Sequence, residues 1–474
     1  MVADYSPSRP GPYAGPMRSP HRSRWRWGIP VLVAAAALVG LGAASAGSTT
    51  QPLRADGITR GDEGGVVDVP VGSGRSYVPG SSVLATGDTL PPVEAALVAA
   101  DRAWLADGRV PGTGTAYEAM AERALLDLHL MIRPNGALIA ANRYHWRYVW
   151  PRDSSFAVVT LSATGHHADA ERILRFLADV APDSGVWHAR YLPDGSGDPP
   201  DARLRQFDGS GWVPWAVWFW LETHPDRAHA EQVAGHLAAM VTASADALAR
   251  SLDEDDLPLR TPDYWEQNSP LLTLGIAAPA RLGLRAAAAL APTLGVDGST
   301  WRGAARRLDG AIEREFGERG FPRTVPDEYP ETVGAHGYPL PRERTGRDAA
   351  VTFLAPPFAA GHVDIREAVR GTVWSLRVPN GGLRPGVTWQ TDVDVAWTPT
   401  TALFALASAA NADTADAETL LTWLDEHRTP LGALPEKVNE SGEPASVAPL
   451  SWTGSLVLLA LLELESDLPI VPPP

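Results

Sequence analysis

From about residue 91 to the C-terminus the chain reads as a succession of apolar-periodic segments, each about 12–25 residues long, separated by Gly, Pro and Asp clusters. This is the feature that most narrows the fold. The run "HADAERILRFLADVA" (167–181) is the clearest case: Ala168, Ile173, Phe176, Leu177 and Val180 fall on one helical face, with charges opposite. About thirteen such segments can be read, near 92–107, 113–131, 154–165, 167–182, 210–224, 226–252, 269–292, 298–316, 348–360, 363–377, 395–411, 414–427 and 447–465. Strand-like alternation is sparse and no repeat of fixed length stands out, so the expected class is all-α, with the helical hairpin as its unit.

Consecutive antiparallel helices place their connections alternately at two ends of the assembly. The connections before every second segment therefore share one end. They read "YVWPRDS", "RQFDGSGW", "PDYWEQNSP", "RTGRDA", "GGLRPGVTWQTD" and "LPEKVNESG". Connections at the other end are short and bland: "GH", "HP", "GVDGS", "AGH" and "NAD". Six hairpins closing into an (α/α)6 toroid would gather the aromatic and charged loops around one pocket.

Ahead of this body, residues 1–27 form a basic, Pro- and Ser-rich tail, and 28–46 are uncharged and apolar. Two readings compete for that stretch. Ala44-Ser45-Ala46 suits cleavage of a signal peptide, whereas the long basic region and a length near the ~20 residues that span a bilayer favour a retained anchor. Either places the body outside the cytoplasm, secreted or on the extracellular side of the membrane. Residues 47–90 read as a Gly/Ser/Pro-rich linker or loose arm, and 91–474 as the helical domain. No second apolar span is counted, so no membrane role beyond tethering is expected.

Beyond residue 46 the chain carries 35 basic against 55 acidic residues, which argues against nucleic acid as a partner. With no cysteine, disulfides and thiolate metal sites are excluded. Asp253–Asp256 lacks the spacing of a calcium loop, and no metal or cofactor is expected. Tryptophan is abundant, at 17 residues. Trp150, Trp187, Trp212, Trp265, Trp389, Trp397 and Trp452 lie beside polar turn residues, and an indole's flat apolar face with one N–H donor suits a sugar ring.

Two glutamates stand out on the functional end. Glu266 follows Tyr264 and Trp265, and an apolar wall keeps a carboxyl protonated, as a general acid requires. Glu436, beside Lys437 in more polar company, suits a base. Paired carboxylates in unlike surroundings are what glycosidic hydrolysis needs.

In order, "YVWPRDS", "QFDGSGW", "DYWEQ", "GGLR…W" and "LPEKV…PLSW" resemble glycoside hydrolase family 15, the glucoamylase-type enzymes, from about Tyr144 to the C-terminus. The resemblance implies an (α/α)6 toroid acting as a monomer on oligosaccharides or polysaccharides, with single-displacement release of β-glucose from α-glucosides. By position it makes Glu266 the general acid and Glu436 the general base. It makes Tyr148, Trp150, Arg152, Asp153, Asp208, Trp265, Arg384 and Trp452 substrate-binding, with Arg152 and Asp153 on the hydroxyls of the terminal sugar.

The chain also departs from the family pattern. Gln267 stands where a second acid often follows the general acid, and "PPDARLRQFDG" carries no tryptophan platform. These leave the linkage open among starch oligosaccharides, isomalto-linked glucans, trehalose and envelope glycans. The rival from another class is a sugar-binding or envelope-assembly protein that kept the toroid without turnover.

Overall fold

The computed structural model describes residues 51–474 apart from 62–64, 88, 268, 270, 325–345 and 390. The expected basic tail and the membrane or signal segment lie outside the described residues. Among the latter, twelve α-helices dominate: α1 (Pro92–Asp107), α2 (Glu118–Met131), α3 (Pro151–Ala163), α4 (His167–Asp179), α5 (Gly209–Thr223), α6 (Arg227–Ser251), α7 (Leu274–Leu294), α8 (Ser299–Phe316), α9 (Val363–Leu376), α10 (Thr398–Ala410), α11 (Thr414–Glu426) and α12 (Ser451–Glu465).

These helices form two layers. The inner ring runs α3, α5, α7, a short 3-10 helix at Ala349–Leu354, α10 and α12, and α12 packs back on α3 to close it. The outer layer covers the ring member by member: α4 on α3, α6 on α5, α8 on α7, α9 on the 3-10 helix, α11 on α10 and α2 on α12. Sequence separates the layers. Inner helices must be apolar all round, and α5 buries every residue from Gly209 to Leu221. Outer helices bury one stripe. In α4 that stripe is Ala170, Ile173, Leu174 and Leu177, while Ala168, expected on the buried face, is exposed. A step of about 100° per residue carries 170, 173, 174 and 177 along one side and leaves 168 off it.

Helix α7 has the length and apolarity to cross a membrane, yet most of it is buried within the protein as a ring member. At one point α5 and α7 meet backbone to backbone: a Cβ on Gly283 would lie 2.5 Å from the Cα of Gly211. The ninth expected segment, 348–360, is not an α-helix. It stops as the 3-10 helix because Pro356 and Pro357 follow, lacking amide donors and excluding helical backbone before them.

Of 47–90, expected as a linker or loose arm, Ala55–Ile58 and Ser81–Val83 are buried while 70–76 are exposed. Strands β1 (Gly57–Arg60) and β2 (Val66–Val69) pair as an antiparallel hairpin, with Ile58 fully buried. Ahead of it the chain runs beside a small sheet of β3 (Ala396–Trp397), β4 (Lys437–Val438) and β5 (Pro444–Ala445): Pro52 bridges Ala445, Arg54 N–H donates to the Ser446 carbonyl, and Ser446 N–H to that of Gln51.

Candidate active site

Loops at one end of the ring surround a cavity of about 530 Å³. Before α3 the chain contributes His145, Trp146 and Trp150; before α5, Arg190 and Arg203; before α7, Tyr264, Trp265 and Glu266. Pro385, Trp389 and Trp397 come from the stretch before α10, and Glu436 and Leu450 from that before α12. Arg152, Asp153 and Trp452 enter from the first turns of α3 and α12. Five of the six connections expected at one end thus line this cavity, while none of the described residues of "RTGRDA" does.

Below it the ring is plugged by aromatics. Phe156, Trp212, Trp215 and Phe358 make edge-on or tilted contacts with centroids 5.1–5.8 Å apart. Trp187 and Trp212, expected among candidate sugar-facing indoles, are fully buried instead.

Glu266 sits on a tight turn in the left-handed backbone region, φ 56°, unusual for a residue with a side chain. The turn is held from behind. Glu266 N–H donates to the Asp263 carbonyl (2.7 Å), and Trp265 N–H to the Asp263 carboxylate (3.0 Å). Arg323 gives that carboxylate two bonds of 2.6 Å and lays its guanidinium 3.7 Å from the Trp265 ring centre. Tyr264 O–H donates to Asp348 (2.5 Å). Burial pushes the Asp348 carboxyl up to about 7, with Arg323 pulling the other way. The Glu266 carboxylate itself accepts from the Trp150 indole (2.5 Å) and pairs with Arg203.

Glu436 is fixed differently. It lies just before β4, its amide donating to the Val447 carbonyl (2.8 Å) and its own carbonyl accepting from Thr398 N–H (3.0 Å). Its carboxylate accepts from the Trp146 indole (3.0 Å) and the Ser446 hydroxyl. Lys437, expected as its polar company, turns away to Asp392 (3.3 Å) and the Trp397 ring, as strand alternation requires.

Arg152 and Asp153 are both buried and paired at 3.0 Å, with the guanidinium 4.2 Å from the Trp452 ring centre. Burial, chiefly, raises the Asp153 carboxyl, Arg152 opposes it, and the charge of Glu436 adds to the rise. Nε and Nη1 of Arg152 have no protein acceptor, nor do the indole N–H groups of Trp265, Trp389, Trp397 and Trp452. Buried donors left this way suit hydroxyl groups of a ligand.

Three expected site residues do not line the cavity. Asp208 is buried at the start of α5, where it meets the Gly209 amide and the field of Arg152, and burial raises its carboxyl to about 7. Tyr148 packs against Trp150 and under the Arg190 guanidinium, 4.6 Å from its ring centre. Arg384 is half-buried, its amide closing the end of α9 on the Leu376 carbonyl, and its neighbour Pro385 takes the cavity position.

The sequence reading missed Trp146, Arg190 and Arg203. Trp146 lies four residues before Trp150 in the same aromatic run. The signal for the two arginines was the length of the connection between α4 and α5, since long loops in a compact domain are commonly functional. Among the described residues no group of three or more His, Asp or Glu side chains could hold a metal ion.

The fold is that of the glucoamylase-like toroids. The bacterial glucoamylase solved with acarbose superposes with TM-score 0.61 at 17% identity, covering 78% of this chain and 59% of that one. Glucoamylase from Saccharomycopsis fibuligera gives 0.57 at 13%, covering 76% and 98%, and a wild-type glycosidase 0.59 at 19%, covering 74% and 96%. In sequence the chain is 28% identical over 116 residues to an uncharacterised glycosyl hydrolase of Methanocaldococcus jannaschii, a match spanning 24% of this chain and 18% of that relative. No family model matches.

Proposed function

We propose that this protein is an inverting, exo-acting α-glucosidase that releases β-glucose from oligosaccharides or glucans, held on the outer side of the membrane by its N-terminal apolar segment or secreted. The observation that carries the reading is the presence of Glu266 and Glu436 on one cavity, together with the buried Arg152–Asp153 pair. In this reading the pair grips the hydroxyls of the terminal sugar, arginine donating and aspartate accepting, each such bond worth roughly 1.5–3 kcal/mol. Glu266 protonates the glycosidic oxygen as the bond to the anomeric carbon breaks. Glu436, oriented by Trp146 and Ser446, takes a proton from a water attacking the opposite ring face, which requires the carboxyl groups about 6.5–9.5 Å apart.

Proton NMR of the protein with maltotriose tests this through the anomeric signals of the first minutes. Early β-glucose is expected; early α-glucose would refute inversion. A second reading, a toroid that binds sugar without cleaving it, is favoured by one contact: Arg203 on Glu266 stabilises the ionised form, which cannot donate a proton. Saturable maltotriose binding without released glucose would select it.

A further inference from the structure

The side chains of Arg190, Asp201, Arg203 and Glu266 form a chain of alternating charge. Its two arginines differ. Arg190 is buried and immobilised, donating to the His145 carbonyl (2.6 Å) and lying over the Tyr148 and Trp150 rings. Arg203 has 40% of its side chain exposed and belongs to an excursion of the chain pinned at both ends, by Val149 bridging Tyr191 and by His188 bridging Arg205. It is the more exposed of the two arginines, 40% against 5%.

A pair this exposed contributes at most about 1 kcal/mol to stability, so holding the fold together does not explain it. The pair does occupy the reacting group. Trp150 donates to one oxygen of Glu266 and Arg203 to the other, so a cation sits on the carboxylate that would have to carry a proton. Asp201 offers Arg203 somewhere to go: its carboxylate already lies 3.3 Å from Arg203 Nε.

We infer that Arg203 is a latch on the acid, clasping Glu266 in the empty site and swinging onto Asp201 when the leaving-group sugar enters. This rests on the proposed glucosidase reading and makes Arg203 a positioning residue. Once the latch opens, Glu266 takes one proton from solvent on the vacated oxygen and passes it to the glycosidic oxygen. The proton removed from water by Glu436 returns to solvent. Other charges around Glu266 are already matched: Arg323 by Asp263 and Asp348, and Arg152 by Asp153. That leaves Glu436 and His145 on the same cavity, both unchanged in the variants below.

The test compares pH profiles of the full-length protein with those of Arg203→Gln and Arg203→Lys on maltotriose. Values of kcat/KM report the free enzyme and kcat the complex. The latch requires the alkaline limb of kcat/KM to rise by about one unit in Arg203→Gln, as expected when an adjacent cation is removed from a carboxylate. The kcat limb stays in place, and Arg203→Lys restores the wild-type profile. A higher KM with neither limb displaced would overturn the latch and make Arg203 a substrate ligand. Carboxyl 13C titration of Glu266, assigned through Glu266→Gln, separates the two proposals. If no glucoside is turned over, a midpoint about one unit higher in Arg203→Gln sustains the clasp while the glucosidase reading fails. An unchanged midpoint refutes the clasp whatever the activity.

Discussion

Replacing Arg323 by Met should damage both stability and turnover, by amounts that follow from what it holds. Asp263 is fully buried, and Arg323 supplies two bonds to its carboxylate. Met keeps most of the stem but donates nothing, leaving a buried charge unpaired at a cost of about 3–5 kcal/mol. Asp348 adds little to that cost, because burial already brings its carboxyl to about 7 and it can take a proton. Asp263→Asn removes the charge while keeping an acceptor for Trp265 N–H. The double variant should then recover roughly 1–3 kcal/mol relative to the sum of the singles. Unfolding followed by tryptophan fluorescence measures the cycle. Turnover supplies the second number. The Glu266 turn, strained by about 1–3 kcal/mol at its positive φ, loses its support, and a shift of about 1 Å in a reacting group costs up to about 100-fold in kcat. Additive stabilities with an unchanged kcat would refute the reasoning.

Other expectations follow from the same geometry. Glu266→Gln and Glu436→Gln should each lower kcat on maltotriose by about 10²–10⁴-fold, with binding retained by calorimetry. Glu463 on α12, 8% exposed, has its carboxyl raised by burial to about 7. The folded chain therefore holds a proton that the unfolded chain has released, and stability falls as pH rises from the ordinary 4.5 through about 7. Glu463→Gln should thus exceed the wild type at pH 8 by up to about 3 kcal/mol and converge with it in acid, read by denaturant midpoints. Gly386→Ala would put a Cβ 2.5 Å from Asp348 Oδ2 and 2.6 Å from the Trp265 ring. It should displace that indole, costing about 1–3 kcal/mol and raising KM, as steady-state kinetics would register.

The ring itself was legible because it rests on counting. Elements joined by short turns alternate between two ends whatever the error at their boundaries, so Glu266, Glu436, Arg152 and Asp153 could be placed at one end before any coordinate was known. Residues whose role depends on where a loop folds back were not legible. Asp208 lies in a motif of the right kind, yet its carboxylate is buried at the start of α5 and takes no part in the cavity lining. Arg203 sits in polar sequence with no periodicity, and it meets Glu266 from a connection bridged at Tyr191 and Arg205. Strand alternation could have warned that Lys437 and Glu436 face opposite ways, but a two-residue strand leaves too little pattern to read.

The strand pairing near Ser446 has a consequence for biosynthesis. The residue that donates to Glu436 is bonded through its backbone to Gln51 and Arg54, while α12, which follows it, closes the ring. A chain emerging from the ribosome carries the Glu266 side of the cavity long before the Glu436 side exists. Residues 51–54, made early, then wait for nearly the latest part of the chain to complete their pairing. Interrupted synthesis leaves half of the cavity without its counterpart, and a cut that frees residues 51–54 strips Ser446 of its backbone partners.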